Sequence, residues 1–346
     1  MDTPPGRALR EALSGWPELL AAAAWNSDER RLRAPLRLLA AVLVLVVVGT
    51  VAARVAGALA APGRLLAPLL LVAELETALR ALSAVAGAVA VAVTAWVVAA
   101  GVDRRWLADY GLAGGHEWWR EAAFGTALGT VLMTLVFLAE VALGWVVVTG
   151  LFSADGGPVL VLAVVYLVTF VGVSVSEELL VRGMLLTNLA EGLAGLGPLS
   201  GRAGTAVAVV LSSLLFGALH AGNPNATPVS TTVISLAGVW LALGYVLTGE
   251  LAIPLGAHLG WNYTQGVVYG YPVSGIRLPV SFVATEQSGP AVVTGGAFGP
   301  EAGLVGVTAL LAGMAGTAWW VLQRGGRLDV DPDVWTPDLR WRGRRR

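Results

Sequence analysis

The sequence predicts an all-α fold, a polytopic bundle of about eight transmembrane helices. Of the 346 residues, 56% are hydrophobic and only 13% are charged, whereas soluble domains carry about 25% charged residues. The apolar residues gather into runs of the ~20 residues that one helix needs to cross a bilayer. The net charge of −1 offers no surface for nucleic acid, and the lack of cysteine excludes disulfides, thiolate metal sites and a cysteine nucleophile.

Eight apolar segments are the candidate spans, and the first of them contains Arg54 near its end. The sixth and seventh are separated only by Gly249-Glu250, which predicts either a tight helical hairpin or a partly re-entrant seventh segment. In chain order, the predicted spans are 38–57, 81–102, 122–148, 158–181, 203–221, 228–248, 251–271 and 303–323.

The basic residues predict how these spans are oriented. All 22 are arginine, and 17 of them fall on the side of the two termini, against four on the other side. Cytoplasmic segments carry the excess of positive charge, so we expect an integral, multi-pass cell-membrane protein with both termini in the cytoplasm. We expect residues 1–34 to be a cytoplasmic lead without a removable signal peptide and residues 272–300 to form an outside loop. The tail ends in Arg344-Arg345-Arg346, which can contact anionic lipid.

Three charged residues follow the apolar run from Pro158 to Ser176. A charge at membrane depth costs about 2.5–3.5 kcal/mol even on the lenient insertion scale, so Glu177, Glu178 and Arg182 require pairing or a function. Residues four apart share a helix face, and neighbours are turned by about 100°. We therefore expect Glu178 and Arg182 to neutralise each other and Glu177 to face a cavity as a general base. The alternative is an architectural triad that stabilises a helix crossing.

Two further apolar segments carry one histidine each. Phe216 precedes His220 by one helical turn, and His258 and Asn262 share a helix face. Alone, His220 would be an interfacial polar residue, and the second pair would join helices by hydrogen bonds. Together with Glu177, one imidazole can help to deprotonate water, while the second imidazole and the carboxamide stabilise an oxyanion. The predicted span limits place His220 and Glu177 near opposite membrane faces, so a shared site requires a shifted limit or a broken helix.

The three motifs resemble those of one known family. Glu-Glu-x-x-x-Arg at 177–182, Phe-x-x-x-His at 216–220 and His-x-x-x-Asn at 258–262 occur in this order on separate apolar segments. In residues, order and spacing they are similar to the motifs of the CAAX prenyl protease and bacteriocin-processing (CPBP, Abi) family of intramembrane proteases. The resemblance covers about residues 120–270, and the stretch 103–112 is similar to the usual lead-in of the family.

The resemblance implies a role for each residue of the motifs. Glu177 and His220 would activate the attacking water. His258 and Asn262 would stabilise the oxyanion or help to hold a metal. The other motif residues would support the site: Glu178, Arg182 and Phe216.

Members of this family are often labelled metalloproteases, which implies a second version of the chemistry. Glu177, His220 and His258 can supply the two imidazoles and one carboxylate that catalytic zinc often uses. The glutamate-base version requires no cofactor, and we favour it because no zinc-binding His-Glu-x-x-His spacing occurs. The stretch from His116 to Arg120 begins like that motif but ends in arginine.

The same resemblance divides the chain into four parts. The intramembrane protease core would be residues 116–323, preceded by the lead, 1–34, and by two spans with a cytoplasmic connector, 35–115. A basic cytoplasmic tail would follow at 324–346. The partners would be membrane lipid and a membrane-associated or lipidated peptide or protein, with no nucleic acid. The substrate would bind in extended form, because an intact helix hides its carbonyl groups.

Two other classes of function compete with this interpretation. A membrane transporter or proton pathway would use Glu177, His220 and His258 as a relay, but the sequence contains no inverted repeat of the kind that transporters use. A non-catalytic scaffold would be expected to have lost at least one of the three motifs.

Two features of the third span predict structure rather than chemistry. Gly125 and Gly129 form a small-xxx-small pattern, which predicts a face that packs closely against another helix. Glu140 is the single acid of this span and is expected to be buried and hydrogen-bonded, with a place on the cavity wall as the alternative.

Overall fold

The computed structural model describes residues 23–70 and 73–342, so the first 22 residues of the predicted lead and the Arg344-Arg345-Arg346 end lie outside the described residues. The helices are α1 (Ala34–Leu70), α2 (Ala73–Val97), α3 (Gly115–Ala142), α4 (Val159–Glu178), α5 (Thr187–Leu193), α6 (Gly201–Leu219), α7 (Pro228–Thr248), α8 (Ala252–Tyr263), α9 (Ala291–Thr294) and α10 (Leu304–Gly325). Turns of π-helix follow α2, α4 and α8 at Val98–Val102, Leu179–Leu186 and Thr264–Val268. The strands are β1 (Trp25–Asn26), β2 (Arg31–Leu32), β3 (Val146–Ala154) and β4 (Val280–Gln287).

The predicted all-α membrane fold is confirmed. In the described part of the chain, seven helical stretches are long and apolar enough to cross a membrane. The remaining predicted span, 251–271, forms the 12-residue helix α8 and the π-turn that continues it. This helix packs against α3, α4 and α7, and it is buried on nearly every side. A short helix whose apolar residues point in nearly every direction belongs to the interior of a bundle.

The fourth predicted span is longer than its predicted limits. The helical stretch begins at Val159 and continues through the π-turn to Leu193, a length of 35 residues, so the predicted end at residue 181 is wrong. Arg182 is fully buried and bonded to Glu178 within the bundle. A charge that is neutralised internally does not have to reach water, and it therefore does not end the helix. Glu177 consequently lies near the middle of this stretch rather than at its end.

A two-stranded antiparallel sheet was not expected from the sequence. β3 pairs with β4, with Val146 opposite Gln287. The third predicted span extends too far, because α3 ends at Ala142 and the chain turns at Gly144, where φ is +71°. The predicted outside loop at 272–300 contains β4 and the short helix α9. Pairing the two segments satisfies the backbone groups that each would otherwise leave without partners.

The face predicted from the small residues of α3 packs against α8 at backbone distance. A Cβ atom at Gly125 or Gly129 would overlap the backbone near Ala257. The contact is reciprocal, because a Cβ atom at Gly256 or Gly260 would overlap carbonyl oxygens of α3. Small residues let two membrane helices approach this closely. The contact therefore fixes the position of α8, which carries His258 and Asn262.

Buried ion pairs join distant segments at one end of the bundle. The Glu191 carboxylate, at the end of α5, accepts hydrogen bonds from Arg31 and Arg37, each at 2.9 Å, and from Arg105. The backbone of Arg105 pairs with that of Leu339 in the tail. The described parts of the lead, the connector and the tail thus pack together at this end.

Candidate active site

Glu178 and Arg182 form the buried pair that their spacing predicts. Arg182 Nη1 donates to Glu178 Oε1 at 2.8 Å, and both side chains are fully buried. Arg182 Nη2 donates to the carbonyl oxygen of Gly238 on α7 at 3.1 Å, and the guanidinium carbon lies 4.3 Å from the centre of the Phe216 ring. The Glu178 carboxylate neutralises this arginine inside the bundle, and the carbonyl hydrogen bond and the cation–π contact stabilise it further.

Glu178 also holds His258, a contact that helix phase alone could not predict. His258 Nδ1 lies 2.8 Å from Glu178 Oε1, the same oxygen that accepts from Arg182. A carboxylate accepts hydrogen bonds, so Nδ1 carries the proton of this bond and the imidazole orientation is fixed. The Nε2 atom of His258 then points away from the pair and toward Glu177.

Glu177 points away from this pair and toward both histidines. Its side chain is 33% exposed, and its Oε2 atom lies 3.9 Å from His220 Nε2 and 3.9 Å from His258 Nε2. These separations are longer than a direct hydrogen bond. Oε2 is itself buried and makes no hydrogen bond with any residue that the structure describes. One carboxylate oxygen therefore faces two imidazole nitrogens at equal distances.

His220 is held at the end of α6 by the turn that precedes it. Its backbone caps the helix, and its Nδ1 atom lies 2.8 Å from the carbonyl oxygen of Phe216. A carbonyl oxygen can only accept, so Nδ1 carries the proton and Nε2 of the neutral ring is free to accept one. The Phe216 ring packs on both imidazoles, with its centre 4.8 Å from that of His220 and 6.3 Å from that of His258.

The four residues expected to carry the chemistry line one cavity of about 580 Å³. Glu177 comes from α4, His220 from the end of α6, and His258 and Asn262 from successive turns of α8. Most of the remaining wall is apolar and comes from α4, α6, α7, α8, α10 and the segment after α8. The helical stretch that begins with α4 continues through the π-turn to Leu193, so Glu177 lies near its middle, where it can approach His220.

Several polar residues of the cavity wall were not identified from the sequence. Three of them lie between the predicted spans, where an isolated polar residue belongs to no helical or strand periodicity: Asn223, Ser274 and Glu301. Asn223 follows His220 by three residues, and this proximity was the one signal available. Burial raises the pKa of the Glu301 carboxyl from 4.5 to about 7, while hydrogen bonds from the Ser274 backbone and from Gln265 act in the opposite direction.

The zinc version of the site does not fit this geometry. The donor types are suitable, but two donors bound to one tetrahedral zinc at 2.0–2.1 Å lie only about 3.3 Å apart. Glu177 Oε2 is 3.9 Å from each imidazole nitrogen. Among the residues described, no three His, Cys, Asp or Glu side chains are grouped as a metal site.

Comparison with known proteins identifies the same part of the chain. Residues 159–264 match the family model described as type II CAAX prenyl endopeptidase Rce1-like. No curated protein and no solved structure matches the chain. The matched segment contains all three motifs. The predicted resemblance is therefore confirmed: in residues 159–264 this chain is similar to the Rce1-like CAAX prenyl endopeptidases, which supports an intramembrane endopeptidase as its general class.

Proposed function

We propose that this protein hydrolyses a peptide bond of a membrane-associated or lipidated substrate, with Glu177 as the general base. The observation that carries the proposal is the position of Glu177 Oε2, which lies 3.9 Å from Nε2 of both His220 and His258 inside a largely apolar cavity. Glu177 Oε2 makes no hydrogen bond with any described residue, so it is available to take a proton from a water molecule bound beside it.

Glu177 and His220 activate the water. Glu177 Oε2 and His220 Nε2 lie 3.9 Å apart and both accept hydrogen bonds, so one water molecule between them can donate to each. Glu177 takes a proton from the water while the water oxygen bonds to the carbonyl carbon of the substrate. The carbonyl electron pair moves onto the oxygen, which becomes the oxyanion. When the C–N bond breaks, Glu177 returns the proton to the departing amine.

His258 and Asn262 stabilise the oxyanion. Both are on α8, one turn apart, and both line the cavity. The bond from His258 Nδ1–H to Glu178 fixes the imidazole so that Nε2 faces the cavity, and in the imidazolium form Nε2–H donates to the oxyanion. The Asn262 amide supplies a second donor. Preorganised donors of this kind act on charge that develops only in the transition state.

The cavity supports an extended, apolar substrate segment. Its wall combines a few polar groups with large apolar side chains such as Phe170, Trp240 and Trp261. An extended segment exposes the carbonyl groups that a helix would keep in its own hydrogen bonds.

We further propose that the protein lies in the cell membrane, with both of its termini in the cytoplasm.

Replacing Glu177 tests the mechanism. Glu177→Gln keeps the size of the side chain but cannot take a proton from water, so the rate of cleavage should fall by about 10²–10⁴-fold. His220→Ala should be similarly severe, and Asn262→Ala should cost about 10²–10³-fold. The matched control is Glu140→Gln, since Glu140 is a buried carboxylate on α3 that accepts from Tyr271 at 2.7 Å. The purified proteins would be assayed on a fluorogenic prenylated peptide and on a set of membrane proteins, with and without chelator.

The outcomes separate the competing mechanisms. Unchanged cleavage by Glu177→Gln would exclude the glutamate base. Loss of wild-type cleavage with chelator, restored by zinc, would establish the metal version. If the wild type cleaves nothing but moves ions or solutes in liposomes, and Glu177→Gln abolishes that movement, the protein is a transporter.

A further inference from the structure

A tight turn reaches from the outer loop to the segment that carries His220. Val273 and Ile276 exchange backbone hydrogen bonds of 2.8 and 2.9 Å, and the two residues between them have positive φ, +48° at Ser274 and +83° at Gly275. Positive φ at both central positions is the mark of a type I′ turn. Gly275 lies against the carbonyl oxygen of Pro224 so closely that a Cβ atom would overlap it.

This turn is bonded to the loop that follows His220. Asn223 Nδ2 donates to the carbonyl oxygen of Ser274 at 3.1 Å, and the Asn223 backbone N–H donates to the carbonyl oxygen of His220, also at 3.1 Å. His220 is the C-cap residue that follows Leu219, the last residue of α6, so no further helical turn fixes it from the C-terminal side. The loop from 221 to 227 supplies that support, and the Ser274–Gly275 turn holds the loop.

Glu301 fixes the turn and connects it to α8. Its carboxylate is 95% buried and accepts from the Ser274 backbone N–H through one oxygen and from Gln265 Nε2 through the other. Gln265 lies on the π-turn that continues α8, the helix that bears His258 and Asn262. One carboxylate therefore bonds both to the turn beside His220 and to the extension of the helix that carries the other two cavity residues.

We propose that Glu301 is a positioning residue for His220, acting through Ser274 and Asn223. The inference rests on the proposed function, since it assigns Glu301 to the assembly of that same site. Removing both carboxylate oxygens frees the turn from α8 and loosens the loop after His220. Misplacing a catalytic group by about 1 Å can cost on the order of 10²-fold in rate.

The test compares two buried carboxylates, Glu301 and Glu140. Glu301→Ala removes both hydrogen bonds. Glu301→Gln keeps one of them through its amide oxygen and loses the other, because its amide nitrogen is a donor and cannot accept from the second N–H group. Glu140→Ala and Glu140→Gln are the matched controls, since Glu140 accepts from Tyr271 and Gln287 and makes no hydrogen bond with the Ser274–Gly275 turn. Hydrogen exchange of the purified proteins in detergent would be measured by mass spectrometry over residues 221–226.

We expect faster exchange over 221–226 in Glu301→Ala, a smaller increase in Glu301→Gln, and rates near wild type in the Glu140 variants. Equal exchange in Glu301→Ala and wild type, or equal increases in the Glu301 and Glu140 variants, would overturn the proposal. Should Glu301→Ala fail to fold, Glu301→Gln against Glu140→Gln gives the same decision.

Kinetics then test whether Glu301 acts through His220. Glu301→Ala should lower kcat by about 10²-fold with little change in KM. In a His220→Ala background it should cost almost nothing more, because residues that act as a unit are not additive. An undiminished loss in that background would overturn the proposed route. If the wild type cleaves no substrate, the proposed function fails, while the exchange measurements still decide whether Glu301 positions the loop.

Discussion

Two neighbouring glutamates have different tasks because of helix phase. Glu178 points into the bundle, where Arg182 and His258 bond the same oxygen. Glu177 is turned by about 100°, and its carboxylate reaches the cavity. The sequence predicted the Glu178–Arg182 pair from a spacing of four residues. It could not predict the bond to His258, because that contact depends on where α8 lies relative to α4.

Removing either member of the buried pair should destabilise the protein more than removing Glu177. Glu178→Ala leaves Arg182 buried without its carboxylate, and Arg182→Ala strands Glu178, each at about 3–5 kcal/mol. Glu177→Ala removes a side chain that is one-third exposed and should cost much less. Thermal unfolding of the purified variants in detergent would measure the difference. Equal stability of all three would contradict this division of tasks.

Among the helices, the contact of α3 with α8 places half of the candidate site. The small-xxx-small pattern predicted this face of α3 correctly, because glycines four residues apart lie on one side of a helix. The pattern did not name the partner, since many apolar helices could have filled that groove. The π-turns after α4 and α8 were also beyond prediction. A π-turn inserts one residue into a helix for tertiary reasons, and the hydrophobic pattern carries no sign of it.

Adding one methyl group to this contact should disturb the site. At Gly129 a Cβ atom would overlap the backbone of α8, so Gly129→Ala forces the helices apart, and overpacking typically costs about 1–3 kcal/mol. The matched control is Gly87→Ala in the middle of α2, where a Cβ atom meets nothing within 4 Å. We expect Gly129→Ala to lower both the unfolding temperature and cleavage, and Gly87→Ala to lower neither. A Gly129→Ala protein as stable and active as wild type would show that α8 does not depend on this contact.

For the molecule as a whole, the composition and the length of the apolar segments predicted the membrane bundle. The sequence could not show which contacts hold the terminal segments against the bundle. Arg31 and Glu191 are 160 residues apart and belong to different predicted parts of the chain, yet they bond at 2.9 Å. Neither residue belongs to a motif, and in the sequence each resembles any charged residue next to a membrane span. The described parts of the lead, connector and tail meet at one end of the bundle. They would have to do so if both termini lie on the same side of the membrane. The orientation in the membrane stays a prediction from arginine counts.

Glu191 should therefore matter to the stability of the whole fold. Its carboxylate is 4% exposed and pairs with Arg31, Arg37 and Arg105, so Glu191→Ala leaves three buried guanidinium groups with less negative charge among them. Breaking one buried pair by removing a partner costs about 3–5 kcal/mol, and here a single carboxylate serves three partners. Nearby acids such as Asp103, which lies 3.5 Å from Arg105, offset only part of the loss.

The matched control for Glu191→Ala is Asp329→Ala, which removes an acid paired at 3.2 Å with Arg202, where both side chains are more than half exposed. Exposed ion pairs contribute at most about 1 kcal/mol, so this variant should unfold almost as wild type does. Denaturant unfolding in detergent, followed by tryptophan fluorescence, would measure both. Since neither acid lines the cavity, the folded fraction of each variant should cleave substrate at the wild-type rate. A Glu191→Ala protein no less stable than Asp329→Ala would mean that the lead, connector and tail are held by their apolar contacts and not by this cluster.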